Sequence, residues 1–331
     1  MELPGVILDI SSISPLRKPD YDTVYDMLIL GGGPAAMSAV VYAARKMINL
    51  AVITSDFGGQ MNETAEVENY LGLPNIRAGD LVAKFKEHVM GFDIPVSMGV
   101  SVKEVKRKED NETFEILMED NTSFCGHTVI FATGKHHRAL TVPGEKELIG
   151  RGVAYCATCD APLYKDKKVV IVGGGNSAFT TALDLLRLNA EAVVVNFLRG
   201  WQADEALQQR VRKFGKVRFL DYHEIVRVEG KDKLETVVCK DRDSAEEERI
   251  EANGLFVEIG LLPNSDPVSK LAGLNERGEV VVDCYCRTDI PGLFGAGDVT
   301  DVPHKQIIIS AGEGAKAALS AYDYLIKKSQ I

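Results

Sequence analysis

Residues 26–36 read Asp-Met-Leu-Ile-Leu-Gly-Gly-Gly-Pro-Ala-Ala, an apolar run followed by a glycine-rich turn. The run is typical of a short buried strand, and residues 37–46 favour a helix. A strand, a GxGxxA turn and a helix in this order indicate a Rossmann-type unit, because the glycines let the backbone approach a pyrophosphate and the helix N-terminus favours its charge. The alternative is a tight turn that only packs the helix closely. The flanking strand and helix favour nucleotide binding.

The acid that would hold a ribose about 20 residues further on is not cleanly present in this first unit. Thr54, Ser55 and Asp56 occupy the place, after a strand predicted at 51–54. The first unit therefore shows the phosphate part of the motif more clearly than the ribose part.

The same arrangement occurs a second time along the chain. Residues 168–172 predict a strand, residues 173–178 read Gly-Gly-Gly-Asn-Ser-Ala, and an apolar helix runs to Leu188. A further strand is predicted at 193–195. The chain is therefore expected to contain two nucleotide-binding units of the α/β class. The candidate residues for the second nucleotide are Gly173, Gly175, Asn176, Ser177 and Asn196.

Two cysteines precede the second unit, in the stretch Cys156-Ala157-Thr158-Cys159-Asp160. Such a pair can form a disulfide that takes up two electrons and two protons, and its reactive species is the thiolate. Asp160 could carry a proton to or from the leaving sulfur. Half of a zinc site has the same spacing. A redox disulfide between two nucleotide motifs suggests instead that one nucleotide is a flavin, which reduces the disulfide.

Composition limits the classes of protein to consider. The chain has 331 residues, which suggests about two domains, and a net charge of -10, which disfavours nucleic acid or an anionic membrane as partner. Six cysteines are too few for a secreted disulfide framework of this length. The first 20 residues lack the pattern of a signal peptide, and no apolar run reaches the roughly 18 residues of a membrane span. A cytoplasmic location is expected.

Taken in order, these motifs resemble the low-molecular-weight thioredoxin reductase family over residues 25–327. The stretches that carry the resemblance are the GxGxxA turn, Gly58-Gly59-Gln60, Glu68-Asn69-Tyr70, Ala132-Thr133-Gly134, the CATCD stretch, GGGNSA, Gly297-Asp298 and Lys305-Gln306-Ile307. The resemblance implies two Rossmann-like three-layer nucleotide-binding domains, the second inserted in the first. It implies an FAD-binding domain made of residues 1–142 and 264–331, and a pyridine-nucleotide-type domain, 143–263, that carries the CxxC pair.

The resemblance also implies FAD as cofactor and indicates its contacts. Gly33, Pro34 and Ala35 would lie at the phosphates. Gly59, Gln60 and Asn69 would lie along the ribityl chain and flavin, and Asp298 would bind the ribityl chain. Gln306 and Ile307 would lie at the pyrimidine edge, where the positive end of the last helix stabilises anionic reduced flavin. The remaining candidates for FAD contacts are Gly31, Ala132, Thr133, Gly134 and Gly297.

The implied enzyme is a flavoprotein disulfide oxidoreductase with Cys156, Cys159 and Asp160 as catalytic residues. Electrons would pass from a donor to FAD, from the flavin to Cys159, and from Cys156 to a thioredoxin-like protein, while Asp160 manages the proton. The two domains would rotate between these steps. The family also implies a homodimer. The alternative of another class is a non-catalytic flavoprotein sensor, and the intact CATCD stretch argues against it.

The end of the chain is similar to the flavoprotein of alkyl hydroperoxide reductase, through residues 302–307 and 320–325. That relative carries a large N-terminal redox-shuttle domain. The first predicted strand begins here at Asp26, so we expect no such domain and a separate redoxin as acceptor. Residues 1–22 are expected to form an arm across the surface.

The electron donor depends on residues that the second unit lacks. Family members that use NADPH read His-Arg-Arg after the second strand of the inserted domain, with another Arg a few residues on; this chain has Asn196-Phe197-Leu198 and Gln202. Hydrogen bonds to a charged group contribute about 1.5–3 kcal/mol each, so poor NADPH use is expected. Asn196 also lacks the charge that selects the ribose diol of NADH. We expect a protein donor such as ferredoxin, with NADH as the alternative, in a system serving a peroxiredoxin or other redoxin. A basic cluster offers an acidic protein a place to dock: Arg210, Arg212, Lys213, Lys216 and Arg218.

The remaining cysteines and histidines have simpler interpretations. Cys125 and Cys239 lie in predicted strands and are expected to be buried. Cys284 and Cys286 would share a face of a strand, and with the CxxC pair could form a four-cysteine metal site. The flavin context explains the CxxC pair better, so no metal is expected. The histidines expected in surface loops are His136, His137 and His304.

Overall fold

The computed structural model describes residues 17–63, 66–67, 69–74, 76–109 and 112–328. The predicted surface arm, 1–22, lies outside the described residues except for 17–22. In the described part of the chain, no helix combines the length and the hydrophobicity that a membrane span requires.

A strand precedes each of the two glycine motifs and a helix follows it, as the sequence predicts. The strands are β1 (Val24–Leu30), β2 (Leu50–Thr54), β3 (Glu66–Val67), β4 (Ile76–Arg77), β5 (Val96–Met98), β6 (Val102–Arg107), β7 (Phe114–Met118), β8 (Ser123–Phe131), β9 (Lys135–His137), β10 (Val153–Ala154), β11 (Lys168–Val172), β12 (Glu191–Asn196), β13 (Val217–Asp221), β14 (His223–Glu229), β15 (Thr236–Asp241), β16 (Glu247–Glu251), β17 (Gly254–Val257), β18 (Leu261–Pro263) and β19 (Leu293–Gly295). The helices are α1 (Pro34–Arg45), α2 (Ala78–Met90), α3 (Ala157–Asp160), α4 (Asn176–Arg187), α5 (Glu205–Arg212) and α6 (Ile307–Lys327).

The first sheet has the strand order β5-β2-β1-β8-β7-β6, and β19 pairs with β8. The strands β5, β2, β1, β8 and β19 are parallel, and β6 and β7 form an antiparallel hairpin beside β8. The central strand β1 is almost fully buried, because one hydrophobic cluster packs its Met27 and Ile29 against α1 and α6 while another covers Leu28 and Leu30. Burial on both faces is typical of parallel strands.

Helices α1 and α6 pack unusually closely on this sheet. A Cβ atom at Gly314 would lie 1.8 Å from the carbonyl oxygen of Ala35, so only glycine fits there. The buried face of α6 is otherwise made largely of alanines and serines. The close approach fixes the start of α6 beside the glycine turn that precedes α1.

The second sheet is wholly parallel, in the order β10-β17-β11-β12-β13. Helix α4 and its neighbours cover one face, and the antiparallel strands β14-β15-β16 cover the other. All its strands fall between β8 and β19 in the chain. The antiparallel ribbon β9-β18 lies at the two crossings, with Leu261 opposite His137 and Pro263 opposite Lys135.

The α/β fold with two Rossmann-like units is therefore confirmed, while the boundaries at 142/143 and 263/264 stay predictions. Three consecutive valines at 280–282 predict a strand, and this prediction is wrong. The N–H groups of Val280, Val281 and Val282 bond to three different partners, at Val299, Gly273 and Asp301, so this stretch forms no continuous ladder.

Candidate active site

A cavity of about 820 Å³ opens at the carboxyl ends of the parallel strands of the first sheet. This is where open α/β sheets bind ligands. It brings together the glycine turn after β1 and the segments after β2, β8 and β19. The predicted residues that line it are Gly31, Gly33, Pro34, Ala35, Gly59, Gln60, Ala132, Thr133, Gly134, Cys156, Cys159, Asp160, Gly297, Asp298, Gln306 and Ile307.

The glycine turn after β1 leaves open space where a phosphate would approach. Gly31 has φ +121°, and a Cβ there would lie 2.2 Å from the carbonyl oxygen of Ala132. Gly33 directly precedes α1, and a Cβ at Gly33 would meet no atom within 4 Å. Pro34 begins the helix, where its missing N–H costs nothing. The free N–H groups of the first helical turn therefore face an open site, which fits a pyrophosphate.

The segment after β2 holds the loop that forms the next part of the wall. The hydroxyl of Thr54 donates to the carbonyl oxygen of Asp56 at 2.6 Å, and the N–H of Gly59 donates to a carboxylate oxygen of Asp56 at 3.0 Å. Asp56 thus orders the turn at Gly59 and lines the cavity itself. Asp56 is therefore an acid at the place where a ribose would be held, but its carboxylate already accepts a backbone hydrogen bond.

Polar side chains from distant segments meet at the start of α6. Asn69 does not line the cavity, but its Nδ2 donates to Oε1 of Gln306 at 3.1 Å. The carboxylate of Asp298 accepts a hydrogen bond from Ser310 at 2.9 Å, and burial raises the pKa of Asp298. Gln60 Nε2 donates to the carbonyl oxygen of Lys135 at 2.5 Å. These bonds hold the side chains that the sequence assigned to the ribityl chain and flavin.

The structure adds a buried charge cluster that the sequence analysis missed. Lys135 forms an ion pair with Glu279, each side chain being only 7% exposed, and Lys305 Nζ lies 3.7 Å from the same glutamate oxygen. Lys135 and Lys305 both line the cavity. The signal in the sequence was a lysine directly after Ala132-Thr133-Gly134, next to the expected ligand.

All three histidines were expected in surface loops, and for two of them this prediction is wrong. His136 and His137 lie in β9, and both line the cavity. The ring of His137 packs against Tyr155 with centroids 4.7 Å apart, and burial lowers its pKa to about 4. His136 Nδ1 lies 2.6 Å from Oδ1 of Asn264 at the end of the ribbon. His304 is exposed in a loop, as predicted.

The CxxC pair is a disulfide on the wall of this cavity. Cys156 and Cys159 are bonded, with Cα atoms 5.3 Å apart. The short helix α3 follows Cys156, whose carbonyl oxygen accepts the N–H groups of Cys159 and Asp160 at 3.2 and 3.0 Å. Burial raises the pKa of Asp160 from 3.8 to about 6, and burial together with the charge of Asp160 raises the pKa of Tyr164 to about 12. A carboxyl group with a pKa near 6 can exchange a proton near neutral pH.

The second glycine turn lies outside this cavity and has its own open surface. Gly173 has φ +143°, and a Cβ at Gly175 would meet no atom within 4 Å, as at Gly33. Gly175 directly precedes the twelve-residue helix α4. Asn176 exchanges hydrogen bonds with Asp204, and Ser177 is exposed. Asn196 is only 2% exposed at the end of β12.

The other cysteines do not assemble a metal site. Cys125 is half-buried in β8 and Cys239 is buried in β15. Cys284 is exposed and Cys286 is buried with φ +63°, so they lie in a turn and not on one face of a strand. Burial raises the pKa of Cys239 and of Cys286 to about 11. Within the described ranges, no group of three or more His, Cys, Asp or Glu side chains could hold a metal ion.

A model of the pyridine nucleotide-disulphide oxidoreductase family matches residues 25–318. The chain belongs to this family. The flavoprotein component of alkyl hydroperoxide reductase from Staphylococcus aureus is 37% identical over 99% of this chain and 64% of its own length. The corresponding component from Xanthomonas campestris pv. phaseoli is 40% identical over 92% of this chain and 58% of its own length. The chain thus spans about three fifths of these curated relatives.

Solved thioredoxin reductases have the same fold. The enzyme of Streptococcus pyogenes is 34% identical, with a TM-score of 0.86 over 92% of this chain and 99% of its own. The Lactococcus lactis enzyme in its FR conformation has the same identity and coverage but a TM-score of 0.63. The expected resemblance to these reductases is confirmed.

Proposed function

We propose that this protein is an FAD-dependent reductase of redoxin disulfides, which passes electrons through Cys156 and Cys159 to a thioredoxin-like protein. The observation that carries the proposal is the position of the disulfide on the wall of the cavity that the glycine turn, Gln60 and Asp298 also line. Bound FAD would supply the two-electron chemistry that the side chains lack.

The residues of the cavity fit such a cofactor in both shape and charge. The open turn at Gly33 and the N-terminus of α1 would hold the diphosphate. Asp298 and Gln306 would bind the ribityl chain and the pyrimidine edge. Helix α6 begins at Ile307, so its positive end faces the same region and favours negative charge there.

The reaction at the disulfide needs two electrons and two protons, and it yields two thiols. From the family motif we assign Cys159 as the sulfur that receives the electrons and Cys156 as the sulfur that attacks the disulfide of the partner. Asp160, with its pKa near 6, holds the proton that the leaving sulfur requires.

A large partner must reach Cys156, while the disulfide in this arrangement faces the cavity. We propose that the unit carrying the disulfide rotates between the two steps, about the β9-β18 ribbon that joins the sheets. The TM-score is 0.63 for the FR conformation of the Lactococcus lactis enzyme but 0.86 for the Streptococcus pyogenes enzyme, at equal identity and coverage. This difference supports two arrangements of the two units in this family.

The acceptor and the donor each have two candidates. Alkyl hydroperoxide reductase relatives support a peroxiredoxin-type system, and thioredoxin reductase neighbours support thioredoxin. For the donor, the open turn at Gly175 favours a pyridine nucleotide over ferredoxin. The basic cluster is weaker than its sequence indicates, since Arg218 pairs with Glu248 and Arg212 packs over Phe219. A homodimer and a cytoplasmic location stay predictions.

The test is anaerobic reoxidation of the flavin by an oxidised redoxin. The FAD-loaded protein is reduced with dithionite and mixed with thioredoxin disulfide or an oxidised peroxiredoxin. We expect the flavin absorbance to return rapidly. In Cys156→Ser and in Cys159→Ser this rapid return should be absent, although FAD is still bound. Cys284→Ser, at an exposed cysteine, is the matched control and keeps the rate. Full activity in either of the first two variants would remove the disulfide from the mechanism.

A further inference from the structure

The second dinucleotide unit lacks an acid at the place where one is expected. In such units, a carboxylate at the end of the second strand binds the ribose diol of the adenosine. Here that strand is β12 and its last residue is Asn196, which is neutral and buried. Asn196 Nδ2 donates to the carbonyl oxygen of Gly200 at 2.8 Å, and its Oδ1 accepts the N–H of Leu198 at 3.3 Å. Asn196 is therefore committed to its own loop.

The neighbouring strand supplies a carboxylate at the same level. Asp221 ends β13 and lies directly opposite Asn196 in the register of the two strands. Its Oδ1 accepts a hydrogen bond from Asn196 Nδ2 at 3.1 Å, and its Oδ2 accepts the N–H of Gly200 at 3.0 Å. Asp221 is exposed, and each carboxylate oxygen has a second lone pair for another donor. A fixed carboxylate thus stands one hydrogen bond away from the expected ribose position.

This carboxylate is continuous with the second glycine turn. A Cβ at Gly174 would lie 2.3 Å from Asn196 Oδ1, so the turn and the end of β12 are in contact. The loop after β12 folds back on the turn, because the N–H groups of Gln202 and Ala203 donate to the carbonyl oxygen of Gly174 at 2.9 and 3.0 Å. A dinucleotide whose diphosphate lay at Gly175 would extend its adenosine ribose toward Asn196 and Asp221.

The arginines nearby are already engaged. Arg199 pairs with Asp243 and lies 3.8 Å above the ring of Tyr222. Arg242 lies 3.8 Å above the ring of Phe197 and donates to its carbonyl oxygen at 2.9 Å. The carboxylates that interact with this loop and its neighbours outnumber the two arginines; they are Asp204, Asp221, Asp241 and Asp243. A 2′-phosphate would enter a region of negative charge, whereas two ribose hydroxyls would find acceptors.

We propose that Asp221 is the specificity-determining residue for the donor, binding the adenosine ribose diol of NADH and excluding the 2′-phosphate of NADPH. The inference rests on the proposed function, and it requires a pyridine nucleotide as donor. Asn196 acts as the positioning residue that holds the carboxylate in place.

The experiment is an anaerobic titration of the FAD-loaded protein with NADH and, separately, with NADPH, monitored by bleaching of the flavin. We expect half-bleaching by NADH at a concentration at least tenfold below that for NADPH. Asp221→Asn keeps the shape of the side chain and removes its charge. The NADH concentration for half-bleaching should therefore rise about 10- to 100-fold, and the preference for NADH over NADPH should disappear. Asp184→Asn removes one charge from the exposed end of α4 and leaves both titrations unchanged. Binding of NAD⁺ and NADP⁺ to the oxidised protein, measured by calorimetry, must follow the same order.

Two titration results would overturn the specificity assigned to Asp221. One is equal or better bleaching by NADPH in the unmodified protein, and the other is an Asp221→Asn protein, with normal FAD content, that titrates as the parent does. The proposed function is tested separately, because dithionite-reduced Asp221→Asn and Asp184→Asn proteins must still reduce the redoxin disulfide as the parent does. If neither nucleotide bleaches the flavin while that reaction proceeds, the inference fails and a protein donor is left.

Discussion

Replacing Asp160 by Asn tests the role of the carboxyl group beside the disulfide. Burial raises its pKa from 3.8 to about 6, a rise of about two units. Each unit corresponds to about 1.36 kcal/mol, so ionisation in the folded protein is disfavoured by about 3 kcal/mol relative to the unfolded chain. Asn cannot ionise and removes this cost.

The sign of the effect on stability follows from proton binding. Between pH about 4 and about 6 the folded protein binds more protons at Asp160 than the unfolded chain does. The free energy of unfolding therefore falls by about 3 kcal/mol as pH rises through this window, and this contribution is constant above it. In Asp160→Asn the fall is absent. Urea unfolding of the FAD-loaded, oxidised protein from pH 4 to pH 7.5 measures the difference.

In the proposed mechanism, the same proton controls the transfer of electrons to the disulfide. As pH rises through about 6, Asp160 loses the proton that the leaving sulfur needs. Dithionite-reduced protein is mixed with the oxidised redoxin, and the return of the flavin absorbance is followed by stopped flow. The rate of this return should decline above pH 6. General acid catalysis increases the rate of such a step by about 100-fold or more. We therefore expect Asp160→Asn to react more slowly by that factor below pH 6, with no decline in rate above pH 6.

Glu258 offers a matched control for this prediction. Its pKa is also raised by burial, to about 7, and its carboxylate accepts a hydrogen bond from Thr181 rather than facing the disulfide. Glu258→Gln should change the dependence of stability on pH and leave the reduction step unaltered. A decline near pH 6 that survives in Asp160→Asn, or that vanishes in Glu258→Gln, would refute the role of Asp160.

Three other perturbations give definite expectations. Cys159→Ser should trap a mixed disulfide with the redoxin through Cys156, and peptide mapping of the adduct to any other cysteine would contradict the roles assigned to the pair. Gly31→Ala should lose FAD and have a lower melting temperature, because the new Cβ would lie 2.2 Å from a backbone oxygen. Gly79→Ala, which has open space around it, should keep both properties. An equal loss of FAD in the two variants would contradict this argument. Gly175→Val should raise the NADH concentration for half-bleaching more than tenfold while FAD content stays normal, and unchanged titration would exclude this turn as a phosphate site.

The glycine turns and the strands around them could be predicted from sequence because their constraints are local. Gly31 and Gly173 adopt positive φ values beside a backbone oxygen, and each follows a buried apolar strand and precedes a helix. The stretch 280–282 shows the limit of such patterns. Three consecutive valines favour a strand, but their N–H groups bond to partners set by the surrounding loops.

Helix α6 shows a second limit. The apolar residues in its sequence recur at helical spacing and predict a buried face that contains Ile308 and Leu319, yet these side chains are 40% and 39% exposed. The buried face instead includes Gly314 and Ala317, because close approach to α1 selects small side chains. Periodicity locates a helix, but the neighbour decides which face is buried.

By itself the sequence determined two glycine turns between a strand and a helix, a CxxC pair with an adjacent acid, and the family to which these belong. Only the tertiary structure decided that the disulfide lies on the wall of the cavity that the first glycine turn lines, that Lys135 pairs with Glu279, and that Asp221 stands beside Asn196. The physical reason is that local patterns report backbone conformation and burial, whereas these contacts join residues on different strands and loops. Their distances depend on how the sheets and the ribbon bring those segments together.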